Sequence, residues 1–202
     1  MNPFRTFKGT VVPLDRVNVD TDQIIPKQFL KLVERTGFGK YLFLDWRFDQ
    51  DGRPKPDFVL NKPRYQNSTI LLCRSNFGCG SSREHAVWSL TDYGFKALIA
   101  PSYADIFYNN SFKNGLLLIT LDPQTIDRMF SEVAQAESYT LEIDLKEQAI
   151  RRTNGETIKF EIDAHRKRCL LEGLDDIALT LVHESEISAH EKGLSGYMLV
   201  PH

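Results

Sequence analysis

Cysteine is scarce in this chain: Cys73, Cys79 and Cys169 are the only three in 202 residues, an odd number with no Cys-x-x-Cys spacing. That argues against a disulfide framework and a zinc ribbon and leaves reduced thiols as the expectation. Long apolar runs are missing too. No stretch reaches the roughly 18 to 20 residues that a membrane span needs, and residues 1–8 lack the apolar centre of a secretory signal, so a cytoplasmic protein is expected. Neither sign of charge dominates, with 25 basic against 27 acidic residues and a net charge of −2. Nothing in that balance marks a nucleic-acid footprint or a membrane-surface patch. Repeats and low-complexity tracts are absent. A 42% hydrophobic composition buries one substantial core at this length, and one domain over residues 1–202 is expected.

What is present is an alternation of short apolar runs and helical patterns. Strands are expected at 7–13, 69–74, 96–100 and 116–120, with helices at 82–93, 103–110 and 123–134, the last capped by Asp122. This order implies a buried, mostly parallel sheet flanked by helices. Residues 139–144 and 156–162 alternate polar with apolar around a middle strand near Ala149 and Ile150, which predicts a small antiparallel β region with one wet face. Residues 163–192 read as two or three helices broken at Gly173. Residues 194–202 have no period and read as a flexible or partner-bound tail. Residues 27–57 hold more aromatic residues than a solvated loop should, among them Phe38, Tyr41, Phe43, Trp46 and Phe48. That suits a substrate-side lid or partner surface, and equally a satellite hydrophobic cluster.

The densest chemistry lies at Asn76-Phe77-Gly78-Cys79-Gly80-Ser81-Ser82-Arg83-Glu84-His85-Ala86, directly after the apolar run that ends at Cys73. The pattern is strand, glycine turn, helix start. Glycines let the backbone approach a ligand, and the free N–H groups and dipole of a helix start attract an anion. Arg83 is unfavourable to that dipole, so its planar fork points to a carboxylate or phosphate. The bland reading stays open beside this one: a serine as N-cap, with Glu84 and His85 as a polar helix face. No Gly-x-Ser-x-Gly elbow and no Walker loop fits the spacing.

The string Gly-x-Gly-Ser-Ser-Arg-Glu-His-Ala at 78–86 resembles the signature of the mobile swivel domain of the aconitase superfamily. Further strings narrow the likeness: Val12-Pro13-Leu14-Asp15, Asn18-Val19-Asp20-Thr21-Asp22, Thr36-Gly37-Phe38-Gly39, Asp45-Trp46-Arg47-Phe48, Ala100-Pro101-Ser102-Tyr103-Ala104-Asp105 and Gly173-Leu174-Asp175. Together they are similar to the branch formed by bacterial 3-isopropylmalate dehydratase small subunits, which work in leucine biosynthesis. The likeness runs from about residue 7 to about residue 190.

This resemblance implies a swivelling β/β/α domain that is one subunit of a hydro-lyase. It implies Ser81 as the general base that removes a proton from carbon, Arg83 as a carboxylate grip, and Ser82 as a hydrogen-bond partner of the bound acid. Arg16 aligns with a second substrate arginine. Gly78, Gly80, Asp20 and Thr21 match supporting positions, and His85, four residues after Ser81, is read as a structural neighbour rather than a base. The chemistry also requires a 4Fe-4S cluster. The three cysteines here fall in a strand, a loop and a helix and form no ligand set, so the resemblance places the cluster in a larger partner subunit, with this chain inactive alone. The same chemistry on citramalate or homocitrate, and an anion-binding module without chemistry, are the competing functions; intact Ser81 and Arg83 count against the second.

Overall fold

A computed structural model describes residues 1–31 and 36–193. The expected tail at 194–202 lies outside the described residues. Seven strands form one sheet in the order β4-β3-β2-β1-β5-β6-β7. Four of them, β1 (Phe7–Leu14), β2 (Ile70–Cys73), β3 (Ala97–Ala100) and β4 (Leu117–Thr120), run parallel. The remaining three, β5 (Thr140–Asp144), β6 (Ala149–Arg152) and β7 (Thr157–Lys159), form an antiparallel meander. The meander continues the same sheet rather than standing apart from it, because β1 divides its length between two neighbours. Residues 7–10 pair antiparallel with β5, and residues 11–14 pair parallel with β2. Pro13, which has no N–H to donate, falls beyond the last β5 pairing at Thr10–Thr140.

The burial of each strand follows its sequence. Ile-Leu-Leu-Cys in β2 and Ala-Leu-Ile-Ala in β3 are buried at every position, as parallel strands covered on both faces must be. Thr-Leu-Glu-Ile-Asp in β5 buries only Leu141 and Ile143, leaving one wetter face. Helices α3 (Glu84–Tyr93), α4 (Asp105–Lys113) and α5 (Pro123–Gln135) connect the parallel strands and lead on to the meander. Asp122 caps α5 through the Thr125 N–H at 2.8 Å, and Pro123 opens its first turn. After the meander come α6 (Ala164–Glu172), which ends on left-handed Gly173, then α7 (Asp176–Leu181) and α8 (Glu184–Lys192).

Two short helices lie within the first third of the chain, α1 (Thr21–Ile24) and α2 (Leu44–Arg47). The described residues 27–31 and 36–57 are built of such short turns, and much of their aromatic content is core. Phe38 and Phe43 are fully buried, and Trp46 stacks on Phe43 at 5.4 Å between ring centres.

Helix α3 starts two residues later than expected. Arg83 occupies the N-cap position in an extended conformation, so Ser81 and Ser82 precede the helix. Ser81 and His85, although four residues apart, therefore do not share a helical face, since an i, i+4 relation needs both residues inside the helix. His85 instead packs edge-on against Phe38 at 5.3 Å and against Trp88 at 4.6 Å. Neither serine caps α3, whose N-cap makes no side-chain hydrogen bond.

Candidate active site

The parallel strands β1, β2 and β3 end on the same edge of the sheet, and the chain leaving each of them meets there. The loop after β2 is zipped to the loop after β1. Asn18 N–H donates to the Ser75 carbonyl at 3.0 Å, Gly78 N–H to Val19 at 2.8 Å, and Thr21 N–H to Cys79 at 2.9 Å. Across its other side the same loop meets the segment after β3, through Phe77 N–H to Ser102 at 3.3 Å and Ala104 N–H to Phe77 at 3.0 Å. The glycine turn is thus clamped between two neighbours at the carboxyl ends of the strands, the usual ligand crevice of open α/β sheets.

Its course depends on glycine. Gly78 has φ +78°, and a Cβ there would lie 2.1 Å from Phe107 Cγ. Gly80 has φ +95°, and a Cβ there would lie 3.3 Å from Thr21 Oγ1. Only a residue without a side chain passes both points at low cost.

The turn delivers Ser81 and Ser82 to the surface, both exposed, immediately before the helix start. Ser81 Oγ lies 3.3 Å from the hydroxyl of Thr21, which is 2% exposed. Arg83 follows with its side chain 16% exposed and forms an ion pair with Asp22. The other carboxylate oxygen of Asp22 meets Lys27 Nζ at 3.1 Å. Two cations thus share one carboxylate, leaving the group with net positive charge beside the N–H groups of Glu84 and His85, which have no acceptor within the helix. An anionic ligand is favoured at such a place.

The remaining expected positions divide. Asp20 is the N-cap of α1, with its carboxylate on Gln23 N–H at 2.8 Å and the Gln23 side chain returning to Asp20 N–H at 3.0 Å. This reciprocal capping box accounts for Asp20 without any part in chemistry. Arg16 is exposed and stacks over the Trp46 ring at 4.2 Å, so its described contact is with the aromatic segment rather than with Ser81. Two relations were invisible in the sequence, the pairing of Asp22 with Arg83 and the contact of Thr21 with Ser81. Both join residues about sixty positions apart, and only the zipped loops bring them together.

The cysteines do not fit a metal cluster. Cys73 lies inside β2, Cys79 in the turn, and Cys169 on α6 with His165 Nε2 at 3.6 Å. Burial raises the pKa of all three thiols, Cys73 most of all, and nearby Asp20 adds to the rise at Cys79. The three thiols stand in three separate places, and among the described residues no three His, Cys, Asp or Glu side chains gather as a metal site.

Comparison with known proteins identifies the frame that carries this turn. The aconitase C-terminal domain family matches residues 1–124, and a second family, described as LeuD_N, matches residues 127–164. The 3-isopropylmalate dehydratase small subunit of Brevibacillus brevis is 58% identical over 191 residues, covering 95% of this chain and 98% of the relative. That of Neisseria meningitidis serogroup C is 56% identical over 201 residues, covering 95% and 94%. The chain belongs to the 3-isopropylmalate dehydratase small-subunit family. A solved structure of 3-isopropylmalate dehydratase (leuD) from Methanocaldococcus jannaschii superposes with a TM-score of 0.65 at 28% identity, over 93% of this chain and 99% of that one. The swivel-type α/β fold and the hydro-lyase subunit class follow from these matches.

Proposed function

We propose that this small subunit supplies the carbon-acid base and one carboxylate grip for the interconversion of 2-isopropylmalate and 3-isopropylmalate in leucine biosynthesis. The observation that carries the reading is the placement of Ser81 on an exposed turn two residues before Arg83, the N-cap of α3. The Ser81 oxygen takes the proton from one substrate carbon, the C–H electron pair becomes the new double bond, and the hydroxyl on the neighbouring carbon leaves with the C–O electron pair. It takes up one further proton from an acid on the partner's side to become water, and the acid regains that proton when water returns. Return of water across the alkene in the opposite sense, with the serine giving its proton to the other carbon, completes the isomerisation without redox change. A serine hydroxyl is a weak base, and its alkoxide needs positive charge and N–H donors nearby. Arg83, Lys27 and the first N–H groups of α3 supply these.

Arg83 fixes a substrate carboxylate beside Ser81 while Asp22 holds the guanidinium in place, and Ser82 donates a hydrogen bond to the same acid. Positioning of this kind is worth roughly 7 to 11 kcal/mol when reacting groups are well aligned. Gly78 and Gly80 shape the turn. Arg16 is the candidate for a second grip on the substrate, and the aromatic segment at 27–57 is the candidate for meeting its isopropyl group, which apolar walls suit.

The large subunit is the partner, and it carries the 4Fe-4S cluster that polarises the substrate hydroxyl. The whole chain acts as one swivel domain, working in the cytoplasm; among the described residues no helix is long and apolar enough to cross a membrane. Purified alone, the chain should be colourless and inactive, and activity should appear on anaerobic addition of the cluster-bearing subunit. Turnover by the isolated chain, or a cluster bound to it, would overturn the division of labour. Turnover of citramalate or homocitrate in preference to 2-isopropylmalate would change the substrate and keep the chemistry.

A further inference from the structure

We infer that Thr21 is a positioning residue for Ser81, fixing its hydroxyl and donating a hydrogen bond to its oxygen when that oxygen is an alkoxide. The inference rests on the reading of Ser81 as the base. Thr21 is anchored more firmly than the serine it meets. It opens helix α1, it is 2% exposed, and its N–H is bonded to the Cys79 carbonyl at 2.9 Å. Asp20, the residue before it, is itself locked to Gln23 through the capping box. Ser81, by contrast, is exposed at the end of a turn with left-handed glycines at 78 and 80. A free serine rotor in that place samples three staggered positions. The Thr21 hydroxyl, 3.3 Å from Ser81 Oγ, selects among them from the buried side and leaves the exposed side to the substrate.

The direction of the bond can follow the reaction. While Ser81 is protonated, either oxygen can donate. When Ser81 is an alkoxide it can only accept, so the Thr21 O–H must be the donor, and that bond is charge-assisted. Thr21 itself gains and loses no proton over the cycle. Gly80 belongs to the same device, because any Cβ there would crowd Thr21 Oγ1 at 3.3 Å.

The test uses the complex reconstituted with its large subunit and compares Thr21→Val, Thr21→Ser and Ser81→Ala. Loss of one hydrogen bond to a charged oxygen should lower kcat of Thr21→Val by about ten- to a hundredfold with KM little changed. Because the donor favours the alkoxide, its removal should also move the acidic limb of the kcat–pH profile upward by about one unit. Thr21→Ser keeps the hydroxyl and should restore most of the rate. Adding Thr21→Val to Ser81→Ala should cost little further, since one unit has already been lost. If Thr21→Val keeps the wild-type kcat and pH profile while Ser81→Ala is inactive, Thr21 is packing alone and the inference falls. If Ser81→Ala itself retains full activity, the base reading falls instead. Should the valine variant fail to fold, Thr21→Ala read against Thr21→Ser separates hydroxyl from methyl in the same way.

Discussion

Ser81 and Ser82 are chemically identical, adjacent and equally exposed, yet only Ser81 has a described side-chain partner, the hydroxyl of Thr21. This asymmetry makes their substitution informative. Ser81→Ala should cut kcat by about 10²-fold or more, as loss of a general base does, whereas Ser82→Ala should act more mildly and mainly on KM. Steady-state kinetics on the reconstituted enzyme decide it, and equal mild effects would reject Ser81 as base. Arg83 makes a second case. Part of its fork is held by Asp22, so a substrate carboxylate must share the guanidinium. Arg83→Lys keeps the charge and loses the planar second donor. With about 1.5 to 3 kcal/mol for each charge-assisted bond, kcat/KM should fall by roughly one to two decades. Its melting temperature should change little, because lysine keeps the charge that pairs with Asp22. A large thermal loss would reassign Arg83 to holding the two loops together.

Among the elements, the glycine turn is tightly constrained at Gly78. Gly78→Ala places a Cβ against the Phe107 ring and keeps a positive φ, two independent penalties. Overpacking and left-handed strain together predict a loss of about 2 to 4 kcal/mol, read as a lower urea midpoint. Gly94→Ala shares only the second penalty, since its Cβ would meet nothing within 4 Å, and should cost about 1 kcal/mol. Equal shifts for the two would remove Phe107 from the account. Most of this element order was legible in the sequence. Buried runs such as Ile70–Cys73 and the Asp122-Pro123 helix start carry local signals strong enough to survive tertiary context. The start of α3 was not legible, because Ser81 and Ser82 are good caps by composition, and what displaces them is the pairing of their loop with residues 18–21 and 102–104. The candidate residues could be named from the sequence, but the contacts among them could not. Thr21 and Asp22 look like turn chemistry until a segment sixty residues away is laid beside them.

For the whole molecule, the clearest collective property is the way carboxylates tie separate elements together. Asp122 caps α5. Asp144 accepts the Glu147 N–H at 3.0 Å and pairs with Arg151 at 3.2 Å. Asp175 caps α7 through Ala178 and meets the Met1 ammonium at 3.2 Å, joining the first residue to the start of α7. The pKa of each is lowered: Asp122 by its bonds to Thr125, Asp144 by the Glu147 amide and then Arg151, Asp175 by the Ala178 amide and then the N-terminus. A carboxyl whose pKa is lower folded than unfolded binds protons more readily in the unfolded state. Its contribution to stability is therefore complete above the unfolded value of about 3.9 and is lost as pH falls through the folded one. The thermal midpoint should accordingly be insensitive to these groups from about pH 8 to pH 5 and should drop below about pH 4. Asp175→Asn removes one of the three, and its midpoint should lie below wild type at neutral pH and converge with it in acid. The check is a set of melts from pH 7 to pH 3 on both chains. A constant gap between them across that range would show that Asp175 acts through packing and not through its charge.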